Sequence, residues 1–449
     1  MASAIERREI SRRSLLKASA GLAGGLAVPL GGLGVAFADD NPAVGTYPAG
    51  VSGPSVFVGI CTPRTGTYAA QGEDEIKGYQ LAIEHINAGH DLIKKISPKT
   101  TKGVLGKEVK YGIADSQAKP NTAVEAQSNF ISQNKAIMIT GSVSSAVAVA
   151  INKLADREKV IYLPCISGSN DTTGKDCVRY SFRECFYAQT AAQAIAPVMV
   201  KAFGKGKKIA FLTPDYTYGH TVRQSMEEAL KTQGEWTVAT NQVSPLGTTD
   251  FSTYLLNVAN SGADVVININ FGRDAVQSIK QAQQFGILAK MKLVVPYNTP
   301  FVAEEVGADV LQGVLAATDY WWTLEDKYPL AKMFNAAFKA KFGSNPEWGA
   351  NAAYMQLAMW ADAVERAGTF FPPDVIKSYE KGVTVDSTVG PVHFRPEDHQ
   401  LVRPVIIVKG KAPADMKSKD DFYDIVEIVD AGPLMQKPDA FGCKLGGYT

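Results

Sequence analysis

The stretch AIMITGSVSSAVAVAINKLADREKVIYLP, residues 136–164, decides the fold class. Ala136–Thr140 is a short β-branched and apolar run, Gly141–Ser144 a turn rich in glycine and serine, Ser145–Arg157 a helical pattern, and Val160–Pro164 a second apolar run. A strand, a helix and a strand in that order make a parallel βα unit. The same alternation extends upstream, with strands at Ser55–Ile60 and Val109–Ala114 and helices at Glu73–Asn87 and Asn121–Asn134. In the first of those helices Ile76, Tyr79, Ile83 and Ile86 fall on one face. Downstream it restarts at Tyr187, with a helix to Phe203, a strand Lys208–Thr213, a helix from Thr221, a strand Trp236–Val243 and a helix from Asp250. It continues with a strand Val265–Ile269, a helix Ala275–Phe285 and strands Leu293–Pro296 and Val314–Thr318. The expectation is an α/β chain with two doubly wound parallel sheets. Long helical patterns follow at Pro329–Phe342 and Asn351–Ala367, then strands Gly390–Phe394 and Val402–Lys409 joined by a polar turn at Arg395–His399.

The chain has 449 residues, 45% hydrophobic and 20% charged, with 46 Lys and Arg against 45 Asp and Glu. The first 38 residues hold five basic and two acidic residues, so the remainder carries 41 against 43, a net charge of −2. That balance excludes a nucleic-acid binder working by counterion release, which needs a basic excess. Ser11-Arg12-Arg13-Ser14-Leu15-Leu16-Lys17, a glycine-diluted apolar stretch and Ala36-Phe37-Ala38 have the parts of a twin-arginine export signal. The mature protein is therefore expected in the periplasm, beginning at Asp39 with a Pro/Gly-rich linker to residue 53.

Cys61, Cys165, Cys177, Cys185 and Cys443 form no Cys-x-x-Cys motif, and the five histidines are scattered, so no metal or cofactor is expected. Cys177 and Cys185 bracket a short strand Val178–Arg183, and a disulfide between them or two buried thiols are equally compatible with that spacing.

Parallel sheets bind ligands beyond the carboxyl ends of their strands, which selects six loops. They hold Arg64, Tyr68 and Gln71 after the first strand, Ser144 and Ser145 after the third, and Cys165 and Ser167 after the fourth. In the second half they hold Tyr218, the Asn270–Arg273 turn, and Tyr297 with Asn298. Ser144 and Ser145 open a helix, where hydroxyls and amide N–H groups face a carboxylate well. Arg64 is a candidate carboxylate clamp. Tyr320-Trp321-Trp322 is either packing at a crossover or part of a cleft wall.

These residues also carry a resemblance. Gly66 and Gly72, Gly78-Tyr79-Gln80-Leu81-Ala82-Ile83-Glu84-His85-Ile86-Asn87, Ser144-Ser145, Phe182-Arg183, Asp215-Tyr216-Thr217-Tyr218-Gly219, Gln281–Gly286 and Gly390–Phe394 resemble the solute-binding proteins of ABC importers of the leucine/isoleucine/valine-binding type. The resemblance runs from Val56 to Lys409. It implies the type I periplasmic binding protein fold, two lobes joined by three crossovers, with residues 54–185 and 317–388 in one and 186–316 and 389–449 in the other. It implies a small-molecule ligand held by Ser144 or Ser145, by Cys165–Ser167 and by Tyr218, an ABC permease as partner, a monomer, and no catalysis. Gln71 falls where such proteins often place a further contact. One departure bears on the ligand: amino-acid binders of this type carry a carboxylate where this chain has Tyr297-Asn298, which disfavours a free α-ammonium unless Asp215 or Asp319 replaces it. Acids, amides and aromatic bodies without an α-amino group are therefore expected over leucine or valine.

Two further readings remain beside transport. A ligand-sensing protein that docks on a receptor has the same site. A twin-arginine-exported enzyme is the other, but the chain has no Gly-x-Gly-x-x-Gly after a strand, no phosphate-binding Gly-Lys-Ser/Thr loop, no Gly-x-Ser-x-Gly and no His-Glu-x-x-His.

Overall fold

The computed structural model describes residues 53–448, so the expected signal at 1–38 and the linker up to residue 52 lie outside the described residues. The chain begins as β1 (Ser55–Thr62), α1 (Ala69–Ala88), α2 (Asp91–Ile96), β2 (Glu108–Asp115), α3 (Pro120–Asn134), β3 (Met138–Gly141), α4 (Ser145–Glu158) and β4 (Ile161–Pro164). It then runs through α5 (Ala188–Phe203), β5 (Lys208–Pro214), α6 (Thr217–Gly234), β6 (Thr237–Ser244), α7 (Ser252–Ala259), β7 (Val265–Asn268) and α8 (Gly272–Gln284). Next come β8 (Lys292–Tyr297), α9 (Pro300–Val306), α10 (Ala308–Leu311), β9 (Leu315–Thr318), α11 (Pro329–Phe342), α12 (Trp348–Ala367) and α13 (Pro372–Glu380). The last strands are β10 (Val385–Ser387), β11 (Gly390–Phe394), β12 (Leu401–Val402), β13 (Val405–Gly410) and β14 (Tyr423–Val429).

Two open sheets and a small antiparallel sheet of order β10-β11-β12 result. The first has the order β2-β1-β3-β4 and is parallel throughout. The second has the order β14-β13-β9-β8-β7-β5-β6, with a parallel core from β9 to β6 and two antiparallel edge strands. Strands such as β4 and β7 are buried along their whole length, which is why they read as unbroken apolar runs. Each sheet reverses strand order once, between β1 and β3 in the first and between β5 and β7 in the second. A crevice opens where the chain departs to opposite faces, so the loops after these four strands are the places for a ligand.

Several expected details change. The strand expected at Val402–Lys409 is two strands: β12 pairs with β11, whereas β13 leaves to pair with β9. Arg403-Pro404 separates them, and proline cannot donate to a ladder. β9 extends to Thr318 inside the second sheet, so the chain leaves that sheet after 318 rather than at 316. Val178–Arg183 forms no strand and touches its neighbours through the isolated bridges Tyr162–Ser181 and Arg183–Gln400. Cys177 is disulfide-bonded to Cys443, 266 residues away, while Cys61, Cys165 and Cys185 are buried free thiols.

Candidate functional site

The four switch-point loops carry aromatic and hydroxyl side chains toward one another. Tyr68 caps the start of α1 and is fully buried, and its hydroxyl lies 2.7 Å from that of Tyr216, which caps α6 beyond β5. Phe271 caps α8 beyond β7, and Tyr297 ends β8. Trp348, the first residue of α12, and Phe186, in the segment leading into α5, complete the set. Four of these rings form a closed circuit: Tyr218 to Tyr297 at 5.4 Å, Tyr297 to Trp348 at 5.8 Å, Trp348 to Phe271 at 6.0 Å and Phe271 to Tyr218 at 6.4 Å between centroids. Phe186 packs 5.1 Å from Tyr297 and Tyr68 packs 5.8 Å from Phe271. Three of the four contacts in the circuit are edge-on and the fourth, Tyr297 on Trp348, is stacked, all at direct contact spacing, so a ligand would meet the outer edges and faces of the rings rather than enter between them.

Polar atoms without a protein partner cluster on the same residues. The hydroxyls of Tyr218, Tyr297 and Ser144, Oε1 of Gln71 and Nε1 of Trp348 are all buried and unbonded. Burying a polar atom unpaired costs about 1–3 kcal/mol, so a group supplied by a ligand is favoured at each. Burial holds the Tyr218 and Tyr297 phenols well above their usual range, which keeps them neutral donors. Ser144 stands at the N-cap of α4 without making a cap bond, whereas Ser145 Oγ accepts from Ser169 N at 3.2 Å.

One backbone and two side-chain hydrogen bonds join the two halves near these loops. Arg273 N donates to Thr67 O at 3.0 Å, Ser169 Oγ and Thr217 Oγ1 lie 2.8 Å apart, and Gln71 Nε2 donates to Thr299 Oγ1 at 3.4 Å. Gly272, with φ of +57°, comes so near that a Cβ there would stand 2.7 Å from Thr67 O. A Cβ on Gly168 would stand 2.9 Å from the Tyr297 ring and 3.2 Å from that of Tyr218.

With this arrangement in view, the comparisons with known proteins are direct. A family model described as periplasmic binding protein matches residues 55–417. The chain belongs to the periplasmic binding protein family. A Leu/Ile/Val-binding protein homolog of Brucella abortus is 27% identical to this periplasmic binding protein over 340 residues, covering 74% of this chain and 81% of the relative. An amino-acid ABC transporter substrate-binding protein of Pseudomonas fluorescens superposes with a TM-score of 0.77 at 26% identity, over 88% of this chain and all of its own. A solute-binding protein of R. palustris solved with benzoate superposes with a TM-score of 0.73 at 20% identity, over 87% of this chain and all of its own. The relatives are substrate-binding proteins, and the chain is a binding protein of that kind rather than an enzyme. Its two open sheets and crossovers are the type I fold.

In this periplasmic binding protein the expected site residues divide into two groups. Tyr68, Tyr218 and Tyr297 belong to or touch the ring circuit, Gln71 lies beside Gly272, and Ser145 bonds the Ser169 amide next to Gly168, with Ser144 its buried neighbour at the start of α4. Arg64 has no bond to the circuit: its side chain is 49% exposed and its Nε is bonded to Glu73 at 2.9 Å. Three others are internally satisfied. Cys165 Sγ faces Gly349 O, Ser167 Oγ pairs with Thr172 Oγ1 at 2.7 Å, and Asn298 Nδ2 donates to the Tyr423 hydroxyl at 2.7 Å. Tyr320, Trp321 and Trp322 bond to Asn335, Tyr423 and Asp420 at the second crossover, and Trp321 and Trp322 also line a cavity with Glu304, Asn345 and Glu347. Phe186, Phe271 and Trp348 are the residues missed from sequence. Only Phe271 lay in a selected loop.

Neither Asp215 nor Asp319, the two acids expected to replace that carboxylate, is free to face an ammonium at the circuit. Asp215 is exposed and paired with His220 at 3.0 Å. Asp319 is buried beside Arg403 (3.3 Å) and accepts from Phe186 N, and burial pushes its carboxyl up to about 8. Glu75 is buried against Thr62 Oγ1 (2.5 Å), and burial holds it well above the carboxylate range. Asp274, at the rim, is pushed up to about 6 by burial although Gly247 N and Thr67 Oγ1 bond to it. Among the described residues no cluster of His, Cys, Asp and Glu is arranged to hold a metal ion, and no helix is long and apolar enough to cross a membrane.

Proposed function

We propose that this chain, exported by the twin-arginine signal of residues 1–38, captures a small organic solute in the periplasm as a monomer and delivers it to the permease of an ABC importer. The observation that carries this reading is the circuit of Tyr218, Phe271, Trp348 and Tyr297, in which three rings from beyond β5, β7 and β8 of the second sheet meet the first residue of α12, and which bears unbonded donors. A ligand touching both halves stabilises the closed arrangement, and the membrane partner then recognises a changed shape. The Brucella relative's name points to branched-chain amino acids, and the R. palustris neighbour holds benzoate. The local chemistry favours the second kind. Tyr297 supplies a phenol where an ammonium needs a carboxylate, and Asn298 is tied to Tyr423. Carboxylates and amides without an α-amino group are the preferred ligands.

A thermal-shift screen of amino acids, amides, ureas and aromatic acids tests this. A ligand at 100 times its Kd adds about 2.7 kcal/mol to stability, which such a screen detects readily. A hit whose affinity is unchanged in Trp348→Ala places the ligand elsewhere, and turnover of a hit contradicts a carrier role.

A further inference from the structure

Arg183 lies in the first crossover and is fully buried. Its Nη1 donates to the carbonyl oxygens of Ser167 (2.8 Å) and Ser169, Nη2 to Thr173 Oγ1, and Nε to Gln400 Oε1 at 2.6 Å. The guanidinium also lies 5.2 Å over the Tyr187 ring. Every one of these acceptors is neutral. Among the described residues no carboxylate stands within ion-pairing distance of it; Asp398, whose field reaches it, is bonded to Arg395. The two buried carboxylates of the crossovers, Glu184 and Asp319, are ion-paired with Arg403, and Asp319 reaches Arg183 only through its field.

A buried charge held only by neutral groups is costly, and an anion placed nearby lowers that cost. The position of Arg183 says where such an anion belongs. The two carbonyls it holds flank Gly168, the residue pressed against the rings of Tyr218 and Tyr297. The loop that walls the ring circuit therefore carries a positive charge one hydrogen bond away.

We propose that Arg183 is a positioning and charge-reading residue: it fixes the Ser167–Ser169 loop against the rings and makes the circuit select a planar aromatic monocarboxylate over its neutral isostere. This rests on the reading of the ring circuit as the ligand site. The rings set the size and flatness of the ligand, Ser144 and the two phenols offer donors to its carboxylate, and Arg183 supplies the compensating charge from behind the loop. Arg183 acts through the loop rather than by bonding the ligand, since four of its five N–H groups are taken by the two loop carbonyls, Thr173 and Gln400.

The test uses the mature chain and a pair of isosteres, benzoate and benzamide, with leucine as a third probe, all measured by calorimetry at pH 7. Opposite charges about 8 Å apart at the effective permittivity of a protein interior give benzoate an advantage of about 30-fold. That ratio should fall toward one in Arg183→Gln and be largely retained in Arg183→Lys. Thr173→Asp sets a carboxylate against Nη2 while keeping the guanidinium and both loop carbonyl bonds, so it should also collapse the ratio and decides the matter if Arg183→Gln does not fold. A wild-type ratio near one, or a ratio that survives in Thr173→Asp, overturns the role of Arg183. Failure of benzoate to bind overturns the ligand class. Leucine bound tightly, with its affinity lost in Trp348→Ala, overturns the ligand class while leaving the circuit as the site.

Discussion

The hydroxyl of Tyr68, at the start of α1 beyond β1 of the first sheet, lies 2.7 Å from the hydroxyl of Tyr216, beyond β5 in the second, and so ties the two switch points together. Neighbouring ties run in parallel, from Thr67 to Arg273 and from Ser169 to Thr217. Because they form only when the halves meet, their energy is coupled to ligand affinity. Tyr216→Phe removes one such bond at a net cost of about 0.5–1.5 kcal/mol, or about 2- to 10-fold in Kd. Calorimetry reads the affinity and small-angle scattering reads the radius of gyration with ligand present. Unchanged values in both would detach this pair from closure.

Ser144 and Ser145 are adjacent yet should respond oppositely to loss of the hydroxyl. Ser144 Oγ is buried without a partner, so Ser144→Ala leaves the ligand-free protein as stable as before or more so, and weakens binding by about 1–3 kcal/mol. Ser145 Oγ accepts the Ser169 amide, so Ser145→Ala strands a buried N–H and lowers the melting temperature without ligand. Thermal melts of both variants, with and without ligand, separate the two roles. A destabilised Ser144→Ala protein that binds normally would make Ser144 a purely structural residue.

The alternation of strands and helices was legible because parallel strands buried on both faces leave continuous apolar runs, as in Ile161–Pro164 and Val265–Asn268. The loops followed from the strand order alone. What escaped was assembled from distant segments. Trp348 and Phe186 reach the circuit from separate stretches of chain, and nothing local to either position distinguishes a site aromatic from a packing one. β14 also escaped, because an edge strand interrupted by Asp424 and Glu427 has no buried periodicity to betray it. For Arg64 the loop was legible but its partner was not: Nε donates to Glu73, nine residues on.

The disulfide between Cys177 and Cys443 anchors the C-terminal segment, where Phe441 packs on Tyr187 at 5.9 Å and Leu434 O accepts from Gln189. None of these contacts touches the four-ring circuit. Reduction, or Cys443→Ser, should therefore lower stability by about 2–4 kcal/mol, the usual worth of such a cross-link, and leave ligand affinity within about twofold. Melts with and without reductant check the first expectation, and calorimetry on the reduced protein checks the second. A large loss of affinity would show that the tail holds the lobes in their binding geometry.

Each crossover contributes one member to a buried ion cluster: Glu184 from the first, Asp319 from the second and Arg403 from the third. Arg403 bonds to Glu184 and to the Asp319 backbone carbonyl, and its Nε stands 3.3 Å from the Asp319 carboxyl. Burial, opposed by Arg403 and reinforced by Glu184, pushes Asp319 up to about 8, from 3.8 for an ordinary aspartate. The native state thus prefers the protonated acid. Its contribution to stability is full below about pH 4 and is lost progressively as the pH rises to about 8. Asparagine resembles that protonated acid in shape, so Asp319→Asn should be tolerated, and its stability relative to wild type should rise between pH 5 and pH 8. Arg403→Met is the opposite case, since it leaves Glu184 buried without its partner and should cost about 3–5 kcal/mol at neutral pH. Denaturant titrations of both variants at pH 5 and pH 8 measure these differences. A stability gap between Asp319→Asn and wild type that stays constant over that range would mean that Asp319 is ionised throughout, and that Arg403 balances two charges rather than one.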